Sequence, residues 1–345
     1  MITYHKIRFS NSNEMKELAS ESVDLVITSP PYPIIELWDN LFSKMNPDIE
    51  KALDAQDGLL SFELMHKELD KTWVEVHRVL KRGGIACVNI GDAVRTIGKD
   101  FRLYSNHSRI LDFCLKLGFS ALPEIIWRKP TNAPNKFMGS GMLPPGAYIT
   151  LEHEFILILR KGGKREFKKD SEKLNRQKSS YFWEERNEWF SDLWFIKGTS
   201  QAMNNETRDR SAAFAFELAY RLVNMFSVKE DIVLDPFLGT GTTILAAMSS
   251  GRNSIGYELD SAFKNVIIQR IEDIVKFANT YIEKRLKRHE TFVRERRAQN
   301  KPLKYMNNAH NFPVMTKQER NLVINSLKSI QQRDNNQYEV LYEIG

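Results

Sequence analysis

The apolar positions of the chain fall into short runs that alternate with helically spaced ones. Four runs in the first third, KIRFS, DLVITS, GIACVNI and PEIIWRK, are short, apolar and bounded by turn residues, which is the pattern of buried strands. Between the second and third, LMHKELDKTWVEVHRVLKRGG places Leu69, Trp73, Val76 and Leu80 at helical spacing, and Gly83-Gly84 supplies a stop. SRILDFCLKLGF repeats the helix-then-glycine pattern after the third run. Strand alternating with helix predicts an α/β fold whose mainly parallel sheet is covered on both faces.

Residues 131–150 are rich in Gly and Pro and read as a loop or lid, and EFILILRK follows as a strand. From Gly162 to about Gln201 the rhythm gives way to a basic, aromatic-rich insert. It resumes with the helix AAFAFELAYRLVNMF, the strand DIVLDPF, a Gly-rich turn, the helix TTILAAMSS and the strand NSIGYEL. Beyond Asp260 the chain reads as mostly helical, with Val266, Ile267, Ile271, Ile274, Phe277, Ala278 and Ile282 on one face.

Composition narrows the class. With 345 residues, 42% hydrophobic and 27% charged, the chain is globular, which excludes collagen-like, disordered and disulfide-framework proteins. Cys87 and Cys114 lie in apolar runs and read as reduced core thiols. The start carries no apolar signal core, and there is no apolar run of about 18 residues, so a soluble, cytoplasmic protein with no membrane contact is expected. The histidines and cysteines show no metal-ligand spacing, and no metal is expected. Net charge is +6, and it is uneven: residues 160–210 carry 13 Lys+Arg against 9 Asp+Glu, and residues 261–345 carry 16 against 9. Two basic segments point to a polyanion, solvated helical faces being the plainer reading.

Two strand ends carry the chemistry. DIVLDPFLGTGTTI sets Gly239 and Gly241 between a strand and a helix, where the backbone can approach a ligand and helix N–H groups are unpaired. Glu258 ends the next strand, where nucleotide-binding α/β units place the carboxylate that holds ribose hydroxyls. Ile244 stands where a dinucleotide fingerprint needs its third glycine, and no Lys follows the turn. The segment therefore suits an adenosine cofactor without phosphates, or else it is a tight turn with no ligand. DLVITSPPY ends a strand with Thr28-Ser29-Pro30-Pro31-Tyr32. The prolines end the strand rigidly, leaving a hydroxyl, carbonyls and an aromatic ring to receive an –NH2 group on a flat base; a rigid loop with a packed tyrosine is the alternative.

Together these segments resemble the exocyclic-amino DNA methyltransferases that use S-adenosyl-L-methionine, over roughly residues 5–160 and 205–275. TSPPY matches their catalytic motif, DPFLGTGTT their cofactor motif and IGYELD the acidic strand end, while GGIACVNIGD and IIWRKP…EHEFILILRK resemble further core strands. The resemblance implies a Rossmann-like fold with a mostly parallel seven-stranded sheet. It also implies a catalytic half (1–160), a target-recognition insert (161–206), a cofactor half (207–275) and, outside the resemblance, a basic helical extension (276–345). The catalytic motif precedes the cofactor motif, the permuted order of the β group.

Ser before Pro-Pro-Tyr implies methylation of cytosine N4 in double-stranded DNA; a cognate restriction endonuclease as partner, and a monomeric or a homodimeric enzyme, are compatible with the resemblance and are not decided by the sequence. Adenine N6, an RNA or protein amide, and a non-catalytic DNA-binding regulator with a relic cofactor site are the alternatives. The catalytic residues implied are Ser29, Pro30, Pro31 and Tyr32. The cofactor residues are Thr28, Asp235, Phe237, Gly239, Gly241 and Thr242 at the turn, Glu258 at the ribose, and Phe214 and Glu217 in the preceding helix. Asn11 is the adenine contact, in Ser10-Asn11-Ser12 where the family often has Gly-Asp-Ser. Residues 160–178 would contact phosphates and base edges. Lys284, Arg285, Lys287, Arg288, Arg294, Arg296 and Arg297 would form a second DNA clamp, a solvated face or an oligomer contact. Trp38 or Phe42 would be a wedge at the flipped base or part of the core.

Overall fold

In this computed structural model the described residues are 1–129, 138–201 and 210–344. Strands β1 (Ile2–Phe9) and β2 (Val23–Thr28) are followed by helices α1 (Asp39–Met45), α2 (Pro47–Asp54) and α3 (Gly58–Val79), then by β3 (Leu80–Ile90). Helix α4 (Asn106–Lys116) leads to β4 (Phe119–Arg128) and β5 (His153–Lys161), and α5 (Asp170–Lys178) and α6 (Trp183–Trp189) lead to β6 (Leu193–Phe195). Next come α7 (Phe216–Phe226), β7 (Ile232–Asp235), α8 (Thr242–Ser249) and β8 (Asn253–Glu258). The chain ends in α9 (Lys264–Glu272), α10 (Ile274–Ala298) and the pair β9 (Asn325–Asp334) and β10 (Gln337–Ile344).

Among the described residues these ten strands form one sheet in the order β6-β4-β5-β3-β2-β7-β8-β1-β10-β9. The centre, β3-β2-β7-β8-β1, is parallel, and β5 lies antiparallel between β3 and β4. The central strands are apolar throughout because both faces are covered. Ala86, Val88 and Ile90 of β3 join Val26 of β2 on one face, under Leu69, Trp73 and Val76 of α3. Ile85 and Cys87 join Leu25 and Ile27 on the other, under Leu218 and Leu222 of α7 and Ala246 of α8. Cys87 and Cys114 are buried free thiols.

The seven expected strands are β1–β5, β7 and β8, and three more extend the sheet at its two edges. Residues 276–345 are α-helical only as far as Ala298, with one short 3-10 helix at Lys317–Asn321 beyond it. β10 pairs antiparallel with β1, and its buried Tyr338, Val340 and Tyr342 alternate with more exposed residues, a period of two that the charged helix before it obscures. Two helix bounds also move. Leu80 opens β3, and α7 begins at Phe216 after an extended Ala215. Part of the Gly/Pro-rich loop, residues 130–137, lies outside the described residues, as does the end of the insert at 202–209.

The basic stretch expected to meet DNA sits at the amino ends of the parallel strands. Arg165 donates to both carboxylate oxygens of Asp231 at 2.6 and 2.9 Å, just before β7, and Asn175 of α5 donates to the Lys229 carbonyl at 2.9 Å. Helix α10 docks on the insert: buried Arg285 donates to both oxygens of Glu185, and the His289 ring stacks on Phe182 at 3.9 Å. Arg285 is thus withdrawn from any DNA clamp, whereas Lys284, Lys287, Arg288, Arg294 and Arg297 remain exposed and Arg296 half-buried. No helix among the described residues is long and apolar enough to cross a membrane.

Candidate active site

The two motifs meet at the carboxyl ends of β2 and β7, neighbours in mid-sheet (Leu25 beside Val233, Val26 beside Leu234). Open α/β sheets hold their ligands beyond such strand ends. Asp235, the last residue of β7, is buried and accepts from Thr28 Oγ1 at 2.7 Å, Thr243 Oγ1 at 2.6 Å and the Phe237 amide at 3.0 Å. Burial lifts its pKa to about 6, against the pull of these three donors. Asp235 thus ties the turn to the end of β2 and the start of α8.

After Asp235 the backbone turns through Gly239 (φ +54°) and Gly241 (φ +85°), which caps α8 with no side-chain partner for the first helical N–H groups. A side chain at Gly239 would enter empty space, so the turn is open above this residue. Glu258 closes the far side: it accepts from the Gly239 amide at 2.7 Å and the Asp260 amide at 2.8 Å, and burial raises its pKa. The remaining lone pairs of this half-buried carboxylate suit a ribose diol, and the open turn with its free N–H groups suits the rest of an adenosine cofactor. Phe237 packs its ring edge-on to Trp73 at 6.0 Å.

Not every expected cofactor residue faces this turn. Thr242 accepts at 3.2 Å from Arg270, which also donates to the Thr240 carbonyl at 2.8 Å and so clamps the turn from α9. Glu217 is held by Arg221 at 2.8 Å and by the Tyr281 hydroxyl, which joins α7 to α10. Phe214 precedes α7 and packs half-buried against the core beneath it. Asn11 is exposed just beyond β1, where Phe9 lies beside Glu258, and its Oδ1 accepts from the Asn13 amide at 2.9 Å.

On the catalytic side Pro30 and Pro31 are buried, while Ser29 and Tyr32 are half-buried. The exit is rigid. Ile34, buried and β-branched, takes φ +67°, a conformation that costs roughly 1–3 kcal/mol and persists only where its surroundings enforce it. They do so here through its amide, which donates to Met65 Sδ at 3.2 Å, and its carbonyl, which accepts from Arg95 at 3.2 Å. Gly91 lies so close to the Tyr32 ring that a Cβ there would stand 3.0 Å from it. Phe42 is fully buried and Trp38 packs half-buried against the same core, so their part is packing.

Three polar residues absent from the expected set complete the site. Asn89 Nδ2 donates to the Tyr32 hydroxyl at 2.8 Å and to Glu154 Oε2 at 2.7 Å, and Tyr32 donates to the same Glu154 oxygen at 2.9 Å. Lys129 donates to the other Glu154 oxygen, its ammonium 4.3 Å from the centre of the Trp127 ring. The signal for Asn89 and Glu154 was their place as polar residues in otherwise apolar strand runs, a costly arrangement unless function or pairing requires it.

Residues 23–270 match a family model described as DNA methylase. The type II methyltransferase M.MthZI of Methanothermobacter thermautotrophicus is 52% identical, over 99% of this chain and 96% of its own. M.MjaI of Methanocaldococcus jannaschii, another type II methyltransferase, is 50% identical over 78% of this chain and 91% of its own. Among solved structures, a Thermus thermophilus protein described as a candidate DNA modification methylase, in complex with S-adenosyl-L-methionine, superposes with a TM-score of 0.61. It is 31% identical, and the match covers 78% of this chain and 94% of that one.

Proposed function

This chain belongs to the DNA methylase family of amino-methyltransferases, and on that premise we propose that it methylates N4 of cytosine in double-stranded DNA. As a member it is an S-adenosyl-L-methionine-dependent DNA methyltransferase, related to type II modification enzymes. The observation that carries the finer reading is Ser29 in the position before Pro-Pro-Tyr, a small hydroxyl at the rigid end of β2.

The cofactor supplies an electrophilic methyl on sulfonium sulfur. Glu258 and the backbone at Gly239 and Gly241 hold its adenosine part, while Thr28 and Asp235 fix the turn against the catalytic exit. The target's amino nitrogen is a poor nucleophile because its lone pair is delocalised into the ring. Hydrogen bonds from its two N–H groups to Ser29 Oγ and to a backbone carbonyl, that of Pro30, localise that pair. Positioning and preorganised dipoles contribute most of the acceleration. The base must leave the duplex, at a cost of a few kcal/mol, and stacking on the Tyr32 ring, worth about 1–3 kcal/mol, offsets part of it.

Adenine N6 methylation is the second reading, since adenine presents the same planar –NH2 group. A cognate restriction endonuclease and a monomeric or homodimeric state belong to the same proposal. Transfer of labelled methyl to DNA tests the site: Ser29→Ala and Tyr32→Ala should each lose most activity, and near-normal turnover in both would overturn the assignment.

A further inference from the structure

We propose that Glu154 is the terminal proton acceptor of methyl transfer, reached from the target base through Ser29 and Tyr32. The assignment follows from counting hydrogens. Glu154 beside Lys129 is a carboxylate and can only accept, so the Tyr32 proton points to it across 2.9 Å. Burial and the Glu154 charge both raise the Tyr32 pKa, so its oxygen keeps that proton at neutral pH. Asn89 Nδ2 has two hydrogens and three oxygens near it. The two closest, on Glu154 at 2.7 Å and Tyr32 at 2.8 Å, take them, and Ser29 Oγ at 3.3 Å is left without one. The Tyr32 oxygen then has one lone pair left, and Ser29 Oγ, 3.2 Å away, donates to it. Every hydroxyl in the chain is thereby turned toward Glu154, and the Ser29 lone pairs are free for an amino N–H.

During transfer the bond between amino nitrogen and methyl carbon forms as the carbon–sulfur bond breaks, its electron pair leaving with sulfur. The nitrogen becomes cationic and sheds a proton to Ser29 Oγ. The Ser29 proton passes to the Tyr32 oxygen and the Tyr32 proton to Glu154, which ends neutral beside Lys129 and returns its proton to solvent before the next turnover. Serine alone is too weak a base to keep the proton, and the chain gives it a route to a carboxylate. Asn89 and Lys129 are positioning residues: Asn89 fixes the direction of the chain, and Lys129 holds Glu154 in place through their ion pair.

The inference rests on Ser29 accepting from the target amino group, and its test is separable from the choice of base, because cytosine N4 and adenine N6 both lose one proton. Full-length wild type, Glu154→Gln, Tyr32→Phe and the double variant are compared in single-turnover methyl transfer to plasmid DNA, with cofactor affinity measured by calorimetry without DNA. Each single variant is expected to slow the chemical step at least about tenfold, the double variant to be no slower than the slower single, and cofactor affinity to be unchanged. A second readout needs no turnover. With 3-fluorotyrosine at position 32, Glu154→Gln should move the 19F titration to lower pH, because a neutral amide no longer opposes the phenolate. Wild-type rates in either single variant, losses that multiply in the double, or an unmoved 19F midpoint would overturn the relay. Methyladenine as the wild-type product would overturn only the base assignment.

Discussion

Thr28 Oγ1 donates a 2.7 Å hydrogen bond to Asp235 Oδ1, joining the last residue of β2 to the last residue of β7 across 207 positions of sequence. The catalytic exit and the cofactor turn diverge from this one contact. Thr243 and the Phe237 amide hold the same carboxylate, so one buried cluster of hydrogen bonds sets the spacing of the two strand ends.

The protonation of Asp235 makes this contact measurable. Its folded-state pKa of about 6 lies above the ordinary aspartate value. The folded chain therefore holds the proton more tightly than the unfolded one, and the stability this lends is full below about pH 4 and lost as pH rises through about 6. In Asp235→Asn, Oδ1 can still accept from Thr28 and Phe237 while Nδ2 donates to Thr243. The stability of the Asn variant relative to wild type should rise between pH 4 and pH 8, by up to about 3 kcal/mol. Urea midpoints at the two pH values check it, and an equal difference at both would place the proton elsewhere.

Glu258 is held by two backbone amides and offers its remaining lone pairs to the open turn. Glu258→Gln should weaken binding of S-adenosyl-L-methionine about 10- to 100-fold, the range for a hydrogen bond to a charged group. Titration calorimetry decides, and wild-type affinity would remove Glu258 from the cofactor site.

Arg285 and Glu185 form a buried pair that fastens α10 to the insert. Arg285→Ala should cost about 3–5 kcal/mol by leaving Glu185 buried and unpaired, whereas replacing both partners, Arg285→Met together with Glu185→Leu, should cost far less. Denaturant unfolding of wild type and the two variants gives the comparison. Equal losses would mean the pair stabilises by packing rather than by charge.

The last two strands have a structural task that the tail's charge concealed. Ending the chain after Val323 would strip the edge of β1 and remove the buried Tyr338, Val340 and Tyr342. Such a chain should be insoluble, as fractionation of expressed protein would show; a soluble, active truncation would mean that the core closes without them.

What could be read from residues alone follows from how local each signal is. The seven core strands and the two motifs were legible because a doubly covered strand is apolar at every position and because glycine and proline mark its exits. Asn89 and Glu154 were not, because they become partners only when β3 and β5 pair, and nothing within either run names the other. The place of the basic stretch 160–178 was hidden for a similar reason. β5 runs against the central strands, so the segment after Lys161 emerges at the end of the sheet opposite Ser29. Glu217 illustrates a third case, a motif position whose carboxylate the tail helix has taken up through Tyr281.

Whether Ser29 and Tyr32 present an exocyclic amino group of cytosine for methylation is decided on the product. Plasmid from a host without its own DNA methylation is treated with the purified enzyme and S-adenosyl-L-methionine, digested to nucleosides and analysed by mass spectrometry. N4-methylcytosine is the expected product, absent when Ser29→Ala replaces the wild type; N6-methyladenine in its place would overturn the choice of base, and the same yield from Ser29→Ala would remove Ser29 from the site.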